Sequence, residues 1–374
     1  MARTRKKSVL SKLLDFFSLS PHRGYLVGGI VRDLLLGKEP GDIDLVIEDD
    51  IKSITDSLNR KLKGECLIYP EFGTATIRVG TEQIDLARAR TETYPLPGRL
   101  PLVRFSNLDK DFWRRDFTVN AVALSLSRKD FGRIIDPVSG IRDIREKSIR
   151  VLHDRSFIDD PTRIFRALRY KNRLGFKIER ETDRLMKNAI RGKMIGRLSG
   201  HRILGELRLI TREKSWRLTL RDLDNYGIFR FTKRDLDLMD RLGDLRIYYL
   251  LGKFQNMKLP MSRKEIKLAA EFVRIPIAAR KLRRPLANSE LYRHLSPREP
   301  ETIVALSNLY PALGKKIRKF RHLKKILPIV RGRDLMRAGL KPGPAFRNTL
   351  RRLFYLQLDG KLRKKGPALR KLRK

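Results

Sequence analysis

Cysteine is nearly absent: Cys66 is the only one in 374 residues. That excludes a disulfide framework and any zinc site built on cysteine, and it suits a reducing cytoplasm, the expected compartment. Long apolar runs are missing as well. Nothing is long enough to cross a bilayer, so no membrane association is expected. The N-terminal "MARTRKKSVLSKLLDFFSLS" is basic, but its apolar run is short and carries Asp15, which makes a poor signal peptide. Acid is in short supply, and unevenly so. Residues 1–150 hold 27 Lys and Arg against 21 Asp and Glu, whereas the rest holds 58 against 21, within a net charge of +43. Such a field favours a polyanion, nucleic acid above all. A generally basic or thermophilic proteome would leave the same signature. With 41% hydrophobic and 34% charged residues, the chain is expected to fold into two or three packed units.

Two patterns divide the sequence. Up to about residue 150, short β-rich runs alternate with helices: "YLV", then "IVRDLLLG" ending at Gly37, then the strand "DIDLVIE". "TATIRVG" and "EQIDLARAR" read as a hairpin around Gly80. From Asp159 onward the period is helical, as in "DDPTRIFRALRYKNRLGF", "RILGELRLI" and "DLDLMDRLGDLRIYYLL". The last stretch, "KLRKKGPALRKLRK", reads as a solvated basic tail.

Four groups of residues carry possible chemistry. Gly28 and Gly29 join a strand to a helix, where missing side chains let backbone N–H groups approach an anion. An ordinary tight turn uses the same residues. Asp42 and Asp44 lie one residue apart on a strand, so both face one way. At about 6 to 7 Å they repel by about 2 to 3 kcal/mol at an effective dielectric near 20. Either they are a solvated strand edge or a cation compensates them. Asp85, in "IDLARAR", adds a third acid on a later strand, and three such carboxylates suit Mg²⁺. "RRDFTVNA" offers Arg114 and Arg115 for phosphate oxygens, Asp116 for a ribose hydroxyl and Asn120 for sugar or phosphate. A salt-bridged helix cap is the alternative. In "DDPTRIFRALR", Asp160 and Arg163 are three apart and would share a helix face. A carboxylate and a guanidinium together match a base edge bearing an exocyclic amine, as in cytosine and adenine. Asp160 before Pro161 is equally a helix N-cap.

The ordered set "LVGGIVRDLLLGKEPGDIDLV", "RRDFTVNA", "DPVSGIRDI", "DDPTRIFRALRYKNRLGF" and "GHRILGELRLI" resembles the class II tRNA nucleotidyltransferase and bacterial poly(A) polymerase family. The likeness runs from about Tyr25 to Ile210, with an echo in "GRDLMRAGLKPGPAFRNTLRRLFYLQLDG". It implies an α/β nucleotidyltransferase head, polymerase-β-like, followed by an all-α neck, body and tail. The corresponding boundaries are a basic extension at 1–24, head 25–150, neck 151–210, body 211–325 and a basic, tRNA-binding tail at 326–374. The resemblance implies Asp42 and Asp44 as Mg²⁺ ligands, with Asp85 as a further catalytic acid. It implies Gly28, Gly29 and Arg32 for the triphosphate, and Arg114, Arg115, Asp116 and Asn120 for the ribose and nucleotide. Asp160 and Arg163 become a protein template for the incoming base, Arg166 and Arg169 lie near phosphate, and Glu206 supports the template helix. Family members often carry Glu-Asp where this chain has Asp159–Asp160. The histidine-aspartate phosphohydrolase domain of some relatives is missing, the five histidines being scattered.

Three activities share these motifs: adding CCA to tRNA, adding only the terminal A, and extending poly(A). The stretch "ARARTETYPLPGRLPLVRFSNLDKDFWRRDF" looks like the complete flexible segment that enzymes adding only C lack in part. The resemblance therefore favours CCA addition from CTP and ATP on the acceptor end of tRNA, with A addition second. A non-catalytic RNA-binding protein on the same scaffold is the reading from a different class, and the intact Asp42-x-Asp44 argues against it.

Overall fold

In the computed structural model residues 2–366 are described, with side chains from residue 9 onward. The end of the expected basic tail, from 367, lies outside the described residues. Helix α1 (Ala2–Leu19) buries Val9, Leu13 and Phe17, a four-residue repeat that forms one apolar stripe. The chain then enters β1 (Gly24–Val27), α2 (Gly29–Leu35), β2 (Ile43–Ile47), α3 (Ile51–Leu62), β3 (Glu65–Tyr69), β4 (Thr74–Val79) and β5 (Glu82–Arg88). A separate hairpin of β6 (Arg90–Thr93) and β7 (Leu102–Phe105) leads to α4 (Leu108–Trp113), β8 (Ala123–Ser125), β9 (Ile134–Ile135) and α5 (Gly140–Arg145). The main sheet has the order β3-β4-β5-β2-β1-β8-β9. Ile43, Leu45, Val46 and Ile47 are all buried, as a strand near the middle of a covered sheet requires. Helix α3 supplies part of that cover through Ile51, Ile54, Leu58 and Leu62, and the Asp50 carboxylate caps its start by accepting from the Ser53 N–H.

Helices dominate from there on, as the change of period predicts. After β10 (Ser148–Ile149) come α6 (Ser156–Asp159), α7 (Thr162–Leu174), β11 (Lys177–Ile178), α8 (Arg180–Arg191), α9 (Gly200–Arg212) and α10 (Trp216–Asn225). Helix α7 buries Ile164, Phe165, Ala167 and Leu168 and stops at Gly175, whose φ of 73° only glycine adopts cheaply. The chain divides into two compact units after Arg230, so the expected head and neck lie in the first unit together with α10. The second unit begins with α11 (Lys233–Leu242) and α12 (Arg246–Lys253). Gly243, at φ 57°, breaks the long helix that "DLDLMDRLGDLRIYYLL" predicts into these two. Leu268, Phe272, Leu295, Leu306, Ile317 and Phe320 centre the core of this unit. Among the described residues, no helix is long and apolar enough to cross a membrane.

Candidate functional site

Strand pairing starts the site. Strand β2 runs parallel to β5 with Asp44 directly beside Asp85, and antiparallel to β1, which ends at the glycine turn. Gly28 sits at φ 73°, and a side chain there would meet Arg115 Nη1 at 3.5 Å and Asp44 Oδ2 at 3.8 Å. The glycine bend and Asp44 are therefore neighbours. Asp42 lies one residue before β2 begins, so the two-residue period does not by itself align it with Asp44. Both acids nevertheless open onto one cavity of about 720 Å³. Burial, then Asp85 and Asp42, push the Asp44 carboxyl up to about 6. Arg115 and Arg32 only partly offset this, so the site favours added positive charge.

Of the residues singled out in the sequence, all but Asp85 and Arg169 line this cavity. The expectation of three converging carboxylates is corrected accordingly. Asp85 accepts from Thr76 Oγ1 at 2.7 Å and from Gln83 Nε2 at 2.8 Å, and it does not line the cavity. Among the described residues, no three metal-ligating side chains group tightly enough to hold an ion by themselves. Two carboxylates remain. That set fits Mg²⁺, which commonly takes one or two protein carboxylates and completes its shell with substrate phosphates and water.

Arg169 is corrected for a similar reason. Its guanidinium is buried and spent on Glu206 Oε2 at 2.9 Å and Glu213 Oε1 at 2.8 Å, joining α7 to α9 and the turn beyond. Glu206 is thus bonded to α7 through Arg169. Burial nevertheless raises its carboxyl above the usual range against the pull of Arg169.

The "RRDFTVNA" residues hold one another. Asp111, fully buried, accepts from Arg114 Nε at 2.7 Å and from Arg115 Nη2 at 2.8 Å. Asp116 Oδ1 accepts from the Phe117 N–H and from Asn120 Nδ2, both at 2.9 Å, while Oδ2 accepts from Arg166 Nε at 2.7 Å. Burial opposes ionisation of Asp116, but Arg166 and Asn120 outweigh it and hold the carboxyl below its ordinary value. Asn120 Oδ1 accepts from Arg32 Nη1. Arg32, Arg166 and Arg173 all approach the Tyr170 ring, at 5.6, 5.4 and 4.7 Å from its centroid.

Asp160 and Arg163 reach the cavity by a different route from the one expected. Asp160 lies outside α7, with extended backbone at φ −130°, so the pair does not share a helix face. Its Oδ1 accepts from the Thr162 N–H at 2.9 Å, from Thr162 Oγ1 and from Arg202 Nη2, both at 2.6 Å. It accepts from the first N–H of α7, whose N-cap position is Pro161, and lines the cavity as well. Arg163 is buried and donates to Ser156 Oγ and to the Arg114 carbonyl, each at 2.7 Å. Arg202 also donates to the Gly98 carbonyl at 3.2 Å. Gly98 fits there because a Cβ would lie 2.9 Å from the Arg197 Cβ.

Sequence reasoning missed Glu92, Tyr94, Asp111, Tyr170 and Arg202. Only Asp111 left a signal, its spacing of three and four from Arg114 and Arg115 on one helix. Glu92 collects Arg90 Nη2 at 2.9 Å and the Tyr94 hydroxyl at 2.8 Å, and it lies 3.5 Å from Arg114 Nη1.

Residues 24–150 match the poly A polymerase head domain. An A-adding tRNA nucleotidyltransferase of Aquifex aeolicus (strain VF5) is 45% identical over 191 residues, 51% of this chain, and the match spans 23% of that longer relative. The A-adding tRNA nucleotidyltransferase of Halalkalibacterium halodurans is 32% identical over 383 residues, covering 92% of this chain and 87% of the relative. The structure of the Thermotoga maritima CCA-adding enzyme complexed with tRNA superposes with a TM-score of 0.65 at 30% identity, over 97% of this chain and 94% of that one.

Proposed function

The chain belongs to the tRNA nucleotidyltransferases, a family carrying the poly A polymerase head domain, and from that premise we propose that it transfers nucleotides to the 3′ end of tRNA. The observation that carries this reading is the single cavity lined by Asp42, Asp44, the glycine turn, Asp160 and Arg163 together. Acids for phosphoryl chemistry and a donor–acceptor pair for a base edge stand at one site.

The tRNA 3′ hydroxyl oxygen attacks the α-phosphorus and gives its proton to solvent, a new P–O bond forms, the bond to the bridging α–β oxygen breaks, and pyrophosphate leaves. Asp42 and Asp44 would hold Mg²⁺, which when bound supplies charge neutralisation at the phosphates and a more acidic hydroxyl. Gly28, Gly29 and Arg32 receive the triphosphate. Arg114, Arg115 and Asn120 shape the nucleotide wall, and Asp116 holds Arg166 there. Asp160 accepts the exocyclic amine of the base and Arg163 donates beside it. The basic residues after 150, 58 Lys and Arg against 21 acids, hold the acceptor stem through its phosphates.

Transfer of the terminal adenosine is the step common to the two favoured readings. The names of both relatives support an enzyme that adds only this A. The CCA-adding structural neighbour supports addition of both C residues as well, and the complete segment at 87–117 speaks against an enzyme that adds only C. Sequencing the 3′ ends made with CTP alone, ATP alone and both, on tRNA lacking its last one or three nucleotides, tests this. Addition of CC to the shorter tRNA with CTP alone, and of CCA with both nucleotides, selects full CCA addition. No incorporation of any nucleotide on either tRNA refutes the transferase reading.

A further inference from the structure

Three guanidiniums gather around one ring in the cavity, and the roles assigned above use neither the ring of Tyr170 nor Arg173. Arg166, Tyr170 and Arg173 follow one another at four and three residues along α7, so they form one stripe on that helix. Arg32 arrives from α2, and all four side chains line the cavity. The guanidinium carbons of Arg32, Arg166 and Arg173 lie 5.6, 5.4 and 4.7 Å from the ring centroid, within the range at which an aromatic face attracts a cation. Tyr170 is buried, and Phe117 meets it edge to face, with centroids 5.8 Å apart and planes at 90°. The ring is therefore fixed by packing, and the arginines take their places from it.

Like charges so close repel, and each needs a partner to hold it. Arg32 has Asp33 at 2.8 Å, and Arg166 has Asp116 at 2.6 Å and the Tyr170 hydroxyl at 2.9 Å. Arg173 is held least. Its carboxylate contact is Glu213 Oε1 at 3.6 Å, an oxygen that already accepts from Arg169 at 2.8 Å, and its side chain is 40% exposed. That leaves donors of its fork available, while the ring keeps it at the cavity wall. The group also adjoins the glycine turn, because a Cβ on Gly29 would lie 3.4 Å from Arg32 Nη2. Forked donors converging on one space suit an anion with several oxygens. A triphosphate tail is such an anion, and so is the pyrophosphate that leaves.

We propose that Tyr170 is a positioning residue that gathers Arg32, Arg166 and Arg173 into one phosphate-facing group, and that Arg173 is a further contact of the triphosphate tail and of departing pyrophosphate. The inference rests on the transferase reading above. It separates two tasks within the cavity: the base is met at Asp160 and Arg163, and the tail is met beside Tyr170.

Calorimetric titration of the full chain with inorganic pyrophosphate and Mg²⁺ tests the group without any turnover. Tyr170→Leu keeps an apolar side chain but no π-face, and should weaken pyrophosphate binding roughly 5- to 30-fold, the loss of one or two cation–π contacts. Tyr170→Phe keeps the face and should stay within about threefold of wild type. Arg173→Gln should weaken binding roughly tenfold, the loss of one hydrogen bond to a charged group. In kinetics, Tyr170→Leu and Arg173→Gln should raise the KM for ATP by similar factors, while the KM for tRNA moves less than about twofold. Should Tyr170→Leu fail to fold, Arg173→Gln at its exposed position decides. Wild-type pyrophosphate affinity in Arg173→Gln, equal losses in Tyr170→Phe and Tyr170→Leu, or no pyrophosphate binding by the wild-type protein overturns the proposal. If the wild-type protein shows this binding pattern but transfers no nucleotide, the transferase reading falls alone.

Discussion

Arg166 on α7 donates from Nε to Asp116 Oδ2 at 2.7 Å and from Nη2 to the Tyr170 hydroxyl at 2.9 Å. The acid expected to read a ribose is thus first of all the anchor of an arginine on the cavity wall. Asp116 raises the Arg166 guanidinium further above its already high range, so the pair stays charged throughout the working pH. Asp116→Ala leaves a half-buried cation without its carboxylate partner. A hydrogen bond to a charged group contributes about 1.5–3 kcal/mol, so kcat/KM for the nucleoside triphosphate should fall roughly 10- to 150-fold. Steady-state kinetics check this, and an unchanged kcat/KM would mean that the pair does not shape the nucleotide wall.

Asp42→Ala and Asp44→Ala are each expected to lower nucleotide transfer by at least about 10³-fold, the scale of losing several kcal/mol of charge stabilisation. Filter binding should show tRNA affinity nearly unaltered, because the basic surface is untouched. Chelation of divalent ions should stop the wild-type reaction, and Mg²⁺ should restore it. Lost tRNA binding with residual turnover would contradict the assignment.

How much of this site was legible can be judged from Asp44, Asp85 and Arg169. The alternating run "DIDLV" predicts β2, and the hairpin around Gly80 predicts β5, so the neighbouring acids follow from strand period. The sequence does not reveal that Thr76 occupies Asp85, because that depends on a cross-strand partner, whereas Gln83 lies two residues before Asp85 on the same strand. Arg163, Arg166 and Arg169 recur every three residues, which falls about 60° short of a full helical turn at each step. By Arg169 the face has rotated about 120° from Arg163, and the guanidinium is held by Glu206 and Glu213 instead of lining the cavity. Arg202 had no local signal, since its partners Asp160 and Gly98 lie far off in the chain.

Base choice should depend on Arg163 and, through Asp160, on Arg202. Arg163→Ala is expected to narrow the preference among CTP, ATP and UTP by about 1–3 kcal/mol, roughly 5- to 150-fold, the discrimination of a good bidentate contact. Arg202→Ala frees Asp160 without removing it, and should blur the same preference by a smaller factor. Competition assays with mixed triphosphates measure both. Unchanged selectivity in both variants would reduce Asp160 and Arg163 to helix-capping and packing residues.

If the basic region grips six to ten phosphates, tRNA affinity should fall by about 10³ to 10⁵ between roughly 50 and 200 mM salt, on the duplex-DNA scale. The arithmetic favours this region over the N-terminal one, where the charges nearly balance. A shallow salt slope would assign the excess of Lys and Arg to something other than the RNA backbone.

Stability should carry its own acid signature in the second unit. Asp235 accepts from Lys253 Nζ at 2.6 Å, the Tyr249 hydroxyl at 2.7 Å, and the Thr232 N–H and hydroxyl, each at 2.8 Å. Burial works against ionisation, but these donors prevail and hold the carboxyl at about 2, below the ordinary 3.8. A folded value below the unfolded one means that the contribution is fully present above the unfolded value and is lost as pH falls through the folded one. Asp235→Asn should therefore melt below wild type at neutral pH, and the gap should shrink as pH falls from about 5 to about 2. Thermal melts followed by circular dichroism at several pH values read this gap. A gap that stays constant would show that the carboxylate charge contributes nothing and that the asparagine costs only geometry.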